Sequence, residues 1–134
     1  MKSILVDTNV LIDFLEHANR SVADSLASYD ELVLTPVVVG EYLAGLRKNA
    51  RGAIARAQFS QFLADDSVRV TTTSVNTSRC YADVFNGLRD KGQPIPQNDL
   101  WIAATAKEND LPLMTKDCHF GYIDNLEVIN PFNN

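Results

Sequence analysis

The segment Ser3-Ile4-Leu5-Val6-Asp7-Thr8-Asn9 decides how the rest of the chain is read. Its apolar run is that of a buried strand, and Asp7 stops it just before Val10, Leu11, Phe14 and Leu15 begin to recur at helical spacing. A strand running directly into a helix opens a βα unit, and the alternation continues downstream. Glu31 to Leu34, Val68 to Val70, Leu113 with Met114, and 127–129 read as further strands. Helices are expected through 9–16, from a Ser21 cap over Val22, Leu26 and Tyr29, and through 37–48, 53–64, 75–88 and 100–109. Residues 92–97 hold Pro94 and Pro96 and cannot continue a helix, so Asn98 and Asp99 open the next one. The pattern predicts an α/β domain spanning 1–134: a central, mostly parallel sheet of four to five strands, flanked by helices in three layers.

A chain of 134 residues buries roughly two-thirds of the surface it exposes when unfolded, so one core is expected and a second domain has no room. With 46% hydrophobic and 22% charged residues the composition is that of a folded globular protein. Asp7 and Asp13 interrupt the early apolar runs, which excludes a signal peptide or a membrane span there and leaves the cytoplasm as the expected location. Cys80 and Cys118 stand in no CxxC spacing and read as reduced thiols.

Four acids, Asp7, Glu41, Asp99 and Asp117, fall where a strand has just ended or a helix is beginning. Singly, each has a plain structural explanation as a cap, a turn former or a surface residue. In a parallel α/β sheet, however, all four positions converge on the crevice beyond the carboxyl ends of the strands. Two carboxylates about 5 Å apart repel by roughly 3 kcal/mol at an effective dielectric near 20, so a converged set calls for protons or hard cations. Carboxylate oxygens are the ligands that Mg²⁺ and Mn²⁺ prefer, and such sites suit phosphoryl chemistry. These four acids account for most of the formal net charge of −5, so the rest of the surface is near neutral and the total does not exclude a polyanionic partner. Arg47, Lys48, Arg51 and Arg56 form the densest basic stretch, either a solvated helix face or a substrate contact.

Taken together, Asp7-Thr8-Asn9, Thr35-Pro36-Val37 leading to Glu41, Pro94-Ile95-Pro96, Asn98-Asp99-Leu100-Trp101-Ile102-Ala103-Ala104, and Thr115-Lys116-Asp117 with Phe120 resemble a PIN-domain ribonuclease. The likeness is to the VapC-type toxins of bacterial toxin–antitoxin systems and extends over the whole chain. It implies a PIN-like fold, a homodimer, a Mg²⁺- or Mn²⁺-dependent endoribonuclease that cuts structured RNA such as tRNA or rRNA, and a cognate antitoxin that inserts a basic side chain among the acids. It also implies that Asp7 and Asp99 ligate metal directly, that Glu41 and Asp117 complete the set, often through water, and that Thr8, Asn9 and Thr115 support them. Arg47, Lys48 and Arg51 become candidate RNA contacts, and Tyr42, Trp101 and Phe120 candidate stacking surfaces, although core packing is the commoner role for each. His17 and His119 are lone histidines with no assigned role. Two alternatives stay open: a Mg²⁺-dependent phosphoacceptor or phosphatase domain, disfavoured because Asn9 stands where such phosphatases carry a second aspartate, and a PIN module that binds RNA or protein without cutting it.

Overall fold

The computed structural model describes residues 1–132 and is built on one five-stranded sheet. In chain order the elements are β1 (Ser3–Val6), α1 (Thr8–Leu15), α2 (Arg20–Ala27), β2 (Glu31–Leu34), α3 (Pro36–Ala44), α4 (Ala50–Leu63), β3 (Val68–Val70), α5 (Val75–Asp90), α6 (Gln97–Glu108), β4 (Leu113–Met114), a 3-10 turn (Cys118–Tyr122) and β5 (Val128–Ile129). The strands lie in the order β3-β2-β1-β4-β5 and every neighbouring pair is parallel. The expected "mostly parallel" sheet is therefore parallel throughout.

Strand β1 sits at the centre because its side chains are apolar on both faces: Ile4, Leu5 and Val6 are buried, as are Leu32, Val33 and Leu34 beside them. The next elements in sequence place β2 on one side of β1, whereas β4 arrives much later on the other. Connections from the centre thus diverge between β1 and β4, and their carboxyl ends form a crevice at a topological switch point.

Local chemistry sets the helix starts. The Asp7 side chain accepts the Thr8 N–H and caps α1, and Thr35 Oγ1 accepts the Val38 N–H at 3.0 Å with Pro36 in the first turn of α3. The cap of α2 is Asn19, whose side chain accepts from Val22 N, and not the expected Ser21. Helix α3 ends at Ala44 rather than running to 48. Asn49 then starts α4 as its cap, so Arg47 and Lys48 lie in the connection while Arg51 and Arg56 lie on α4. The basic stretch is consequently a corner, not one helix face. Helix α6 begins at Gln97 after Pro96, earlier than the sequence suggested, because an X-Pro-X entry fixes the first turn without a side-chain cap.

Helices α5 and α6 pack together, with Tyr81 and Trp101 rings 4.3 Å apart. At the far end, Thr77 Oγ1 and Ser74 Oγ donate to the two oxygens of Glu108 at 2.6 and 3.1 Å. These ties fix α6, and with it Asp99. Among the described residues no helix is long and apolar enough to cross a membrane, and Cys80 and Cys118 are free thiols.

The α3–α4 corner depends on one close approach. A Cβ on Gly52 would lie 1.6 Å from the Arg47 carbonyl oxygen. Gly52→Ala should therefore force the corner open and cost about 1–3 kcal/mol in urea unfolding, as overpacked backbone contacts do. A variant as stable as the parent would show that the corner yields freely.

Candidate active site

The crevice is organised by Asp7, which follows the last residue of β1 and is buried at 5% exposure. Its Oδ1 accepts the Thr8 N–H at 2.7 Å, and its Oδ2 accepts the Thr115 hydroxyl at 2.7 Å and the Asn9 amide at 3.3 Å. Asn9 Nδ2 also lies 3.3 Å from Thr115 Oγ1, while its Oδ1 accepts the Lys116 N–H at 3.2 Å. Thr115 Oγ1 in turn accepts the Asp117 N–H at 3.0 Å. Thr8, Asn9 and Thr115, the expected supporting residues, thus form one polar web that stitches the end of β1 to the end of β4.

Glu41 projects from the middle of α3 and is held at both oxygens. Thr8 Oγ1 donates to Oε1 at 2.9 Å and Asn98 Nδ2 donates to Oε2 at 2.7 Å. Asn98 is the residue that sequence reasoning passed over as a site group. Its signals were adjacency to Asp99 and its place in the Asn98-Asp99 motif, but a surface carboxamide in the first helical turn has an ordinary explanation as a helix-start residue.

Asp99 is the third residue of α6, near the positive end of the helix. It is not the cap, and among the described residues no hydrogen bond reaches its carboxylate. Burial, followed by the charges of Asp7, Asp117 and Glu41, pushes its pKa up to about 6, with His119 acting weakly in the opposite sense. Asp7 is also raised, chiefly by burial, with the Thr115 and Thr8 hydrogen bonds opposing and Glu41 and Asp117 adding to the rise. Thr8 and Asn98 tie Glu41 to the start of α1 and of α6, Thr115 ties Asp7 to the backbone of Asp117, and the charges of Glu41 and Asp117 are felt at both Asp7 and Asp99, so all four acids share one crevice. Asp117 heads the 3-10 turn, where its Oδ1 accepts the His119 N–H at 2.9 Å and lies 2.8 Å from His119 Nδ1.

The donor set is all-oxygen and anionic, and Asp99 has a carboxylate with nothing yet bonded to it, so these residues fit a hard divalent cation. Their spacing is loose. Among the described residues the one trio of metal-capable atoms within 4.8 Å of one another is Asp117, Cys118 and His119. No three of the four acids are contracted for direct ligation as they stand, which suits an ion that keeps several waters.

Other sequence candidates lie elsewhere. Phe120 is fully buried and Tyr42 is 4% exposed, so neither offers an open stacking face, while Trp101 is half-buried with its ring against Tyr81. Tyr42 donates its hydroxyl to Glu16 Oε1 at 2.8 Å, and burial together with that carboxylate raises its pKa. His17 pairs with Asp13 at 3.0 Å. Asp13, unremarked in sequence beyond breaking an apolar run, is 8% exposed and makes an ion pair with Lys116 Nζ at 2.6 Å, which lowers its pKa. That pair braces the loop carrying Thr115 and Asp117 against α1. Arg47, Lys48 and Arg51 are exposed, and among the described residues none of them forms an ion pair.

Residues 4–126 match the model of the PIN domain family. Ribonuclease VapC4 of Mycobacterium tuberculosis is 27% identical over 129 residues, covering 96% of this chain and 97% of its own. Among solved structures, VapBC-5 of Mycobacterium tuberculosis, a member of the VapBC family of toxin–antitoxin systems, superposes with a TM-score of 0.74 at 25% identity, covering 97% of this chain and 99% of that one. VapBC2 from Rickettsia felis gives a TM-score of 0.84 at 23% identity over 96% and 98% of the two chains, a likeness of fold.

Asp99 gives the metal-free protein a pH signature. A carboxyl whose pKa is raised on folding contributes stability that is complete below its ordinary value of 3.8 and lost as pH rises through about 6. Urea titrations in EDTA should show stability falling across that window. Asp99→Asn should flatten the slope and add about 1–2 kcal/mol at neutral pH, less than the full shift implies because the side chain is only partly buried. An unchanged slope in the variant would assign the titration to another group.

Proposed function

The chain belongs to the PIN-domain family, and from this membership we propose that it is a metal-dependent endoribonuclease, the toxin of a toxin–antitoxin pair. The ribonuclease and toxin assignments follow from the VapC and VapBC relatives. The finer reading, with Mg²⁺ or Mn²⁺ as cofactor and structured RNA as substrate, is carried by one observation: four carboxylates meet at the switch point of a parallel sheet, and burial with the neighbouring negative charges raises the cost of ionising Asp7 and Asp99. Such a site has a use for a divalent cation and a phosphodiester, and little use for an uncharged ligand.

Asp7 and Asp99 would hold the cation, with Glu41 and Asp117 reaching it through water. When bound, the cation supplies charge to offset the phosphate and a water of lowered pKa as nucleophile. The remaining work belongs to the chain. Thr115, Thr8 and Asn9 fix both oxygens of Asp7, so its orientation does not depend on the ligand. Thr8 and Asn98 do the same for Glu41 and leave its lone pairs facing the crevice. Asp99 makes no bond that must be broken before ligand binds. Asp117, ordered by the His119 N–H, closes the far side.

The same reading includes an antitoxin whose basic side chain neutralises the acids in competition with metal. It also includes a homodimer, which rests on the family resemblance. A phosphatase reading is weaker, since Asn9 is committed to the Asp7 and Thr115 web where a second acid would be needed.

Purified protein incubated with total RNA should release discrete fragments with Mg²⁺ or Mn²⁺ and none in EDTA, the ends being mapped by sequencing. Asp7→Asn and Asp99→Asn should each lower cleavage by about 10²-fold or more, and Asn98→Ala by about tenfold, as losses of ligand and of ligand support do. Cation-dependent cutting at parental rates by both aspartate variants would remove these residues from the chemistry.

A further inference from the structure

A cavity of about 280 Å³ opens beside Glu41, between the end of α1, the end of α3 and the start of α4. Ile12, Leu46 and Ala55 give it apolar walls, Glu16 lies within it, and Arg47 and Arg51 stand among its lining residues. The cavity is built into the fold. Arg56 donates through Nη1 to the Arg47 carbonyl at 3.1 Å and through Nη2 to the Leu46 carbonyl at 3.5 Å, which holds the 44–49 connection in place. Asn49 Oδ1 accepts the Gly52 N–H at 3.0 Å, and Gly52 alone permits the backbone of that connection to touch α4.

Its walls and its charges differ in kind. Apolar sides with a few polar groups mark a site for a small, mostly flat ligand, and the volume, near the lower limit of ordinary ligand pockets, is that of a single small unit rather than a polymer segment. Arg47 and Arg51 have no carboxylate partner among the described residues in a chain of net charge −5, although Glu41 borders the same cavity. Unpaired guanidiniums beside an apolar recess complement a ligand with one anionic group and one ring.

We propose that this cavity is a nucleotide subsite: it receives one base extruded from the RNA next to the cleaved bond, with that nucleotide's phosphate on Arg47 and Arg51. The proposal rests on the ribonuclease reading for the class of ligand and on the cavity's own geometry for the site. Single-stranded RNA is read by bases splayed out of their stack into such recesses. Glu16 offers only acceptors, and Tyr42 already donates to one of its oxygens, so a base with an exocyclic amino group is favoured over uracil.

Binding in EDTA tests the subsite without any cutting. The four nucleoside 5′-monophosphates and ribose 5-phosphate are titrated into the full chain, and backbone amide shifts are followed by NMR. At least one amino-bearing nucleotide should bind about tenfold more tightly than ribose 5-phosphate, about fivefold more tightly than UMP, and should shift the amides of Gly45, Gly52 and Ala55. Ala55→Trp, which fills the cavity, should abolish that difference, and Glu16→Gln should erase the bias against UMP. Equal binding of all five probes at millimolar concentration, or shifts elsewhere on the surface, overturns the proposal; because that result is read on the unaltered protein, a misfolded Ala55→Trp does not obscure it. A folded Ala55→Trp that keeps nucleotide binding but no longer associates with an antitoxin overturns it too, and gives the cavity to a protein side chain. Base-dependent binding at these amides with no RNA cleavage would remove the ribonuclease reading and leave the subsite standing.

Discussion

A single hydrogen bond, from the Thr115 hydroxyl to Asp7 Oδ2 at 2.7 Å, joins the ends of two strands that are neighbours in space and 108 residues apart in sequence. It is a charge-assisted bond in a buried setting, among the stronger kinds a protein makes. Removing the hydroxyl would leave Asp7 with a buried oxygen short of a donor, a larger penalty than the bond's own net worth. The backbone repeats the join: Asp7 N donates to the Met114 carbonyl at 3.0 Å. Everything else in the crevice is placed relative to this seam. Asn9 leans on it from α1, the Asp117 N–H donates to the same Thr115 hydroxyl oxygen, and Glu41 reaches it through Thr8.

That seam tolerates charge because its donors are spent unequally. Asp7 is surrounded by hydrogen bonds that favour its ionised form, and they partly cancel the burial that opposes it. Asp99 has burial and three like charges against it and no compensating bond, so the cost of the cluster is concentrated there. A site that placed the same number of donors on every acid would need no ligand. This one is satisfied at Asp7 and Glu41 and left open at Asp99, and the helix-start position offsets only part of the cost.

The strands and the acids were legible in sequence because their signals are local. Uninterrupted β-branched and leucine runs ended by Asp7 or Thr115 fix both the strand and the place where it delivers its polar residue. What was not legible depended on partners far away in the chain. Helix α3 stops at Ala44 although Leu46 continues the apolar stripe, because Gly45 and the Asn49 cap turn the backbone toward α4. Ser21 and Asn19 are both good caps on composition, and only the backbone angles choose Asn19. Tyr42 looked like a stacking surface, yet its ring packs 4.4 Å from that of Phe59 and its hydroxyl is tied to Glu16. Asn98 gave no sign of contact with Glu41, since 57 residues separate them and nothing in the spacing requires it.

The arrangement around Glu41 also explains how acids and free cations coexist a short distance apart. A carboxylate beside Arg47 and Arg51 would ordinarily draw one of them into an ion pair, which would close the crevice and neutralise both. Here Thr8 and Asn98 each hold one oxygen of Glu41, at 2.9 and 2.7 Å, and fix the direction in which the carboxylate presents its remaining lone pairs. An exposed ion pair returns at most about 1 kcal/mol after its entropy cost, too little to draw either arginine out of water. The arginines therefore stay solvated at the rim of the crevice. Two neutral side chains, Thr8 from α1 and Asn98 from α6, orient Glu41 at the border between an anionic crevice and a cationic rim.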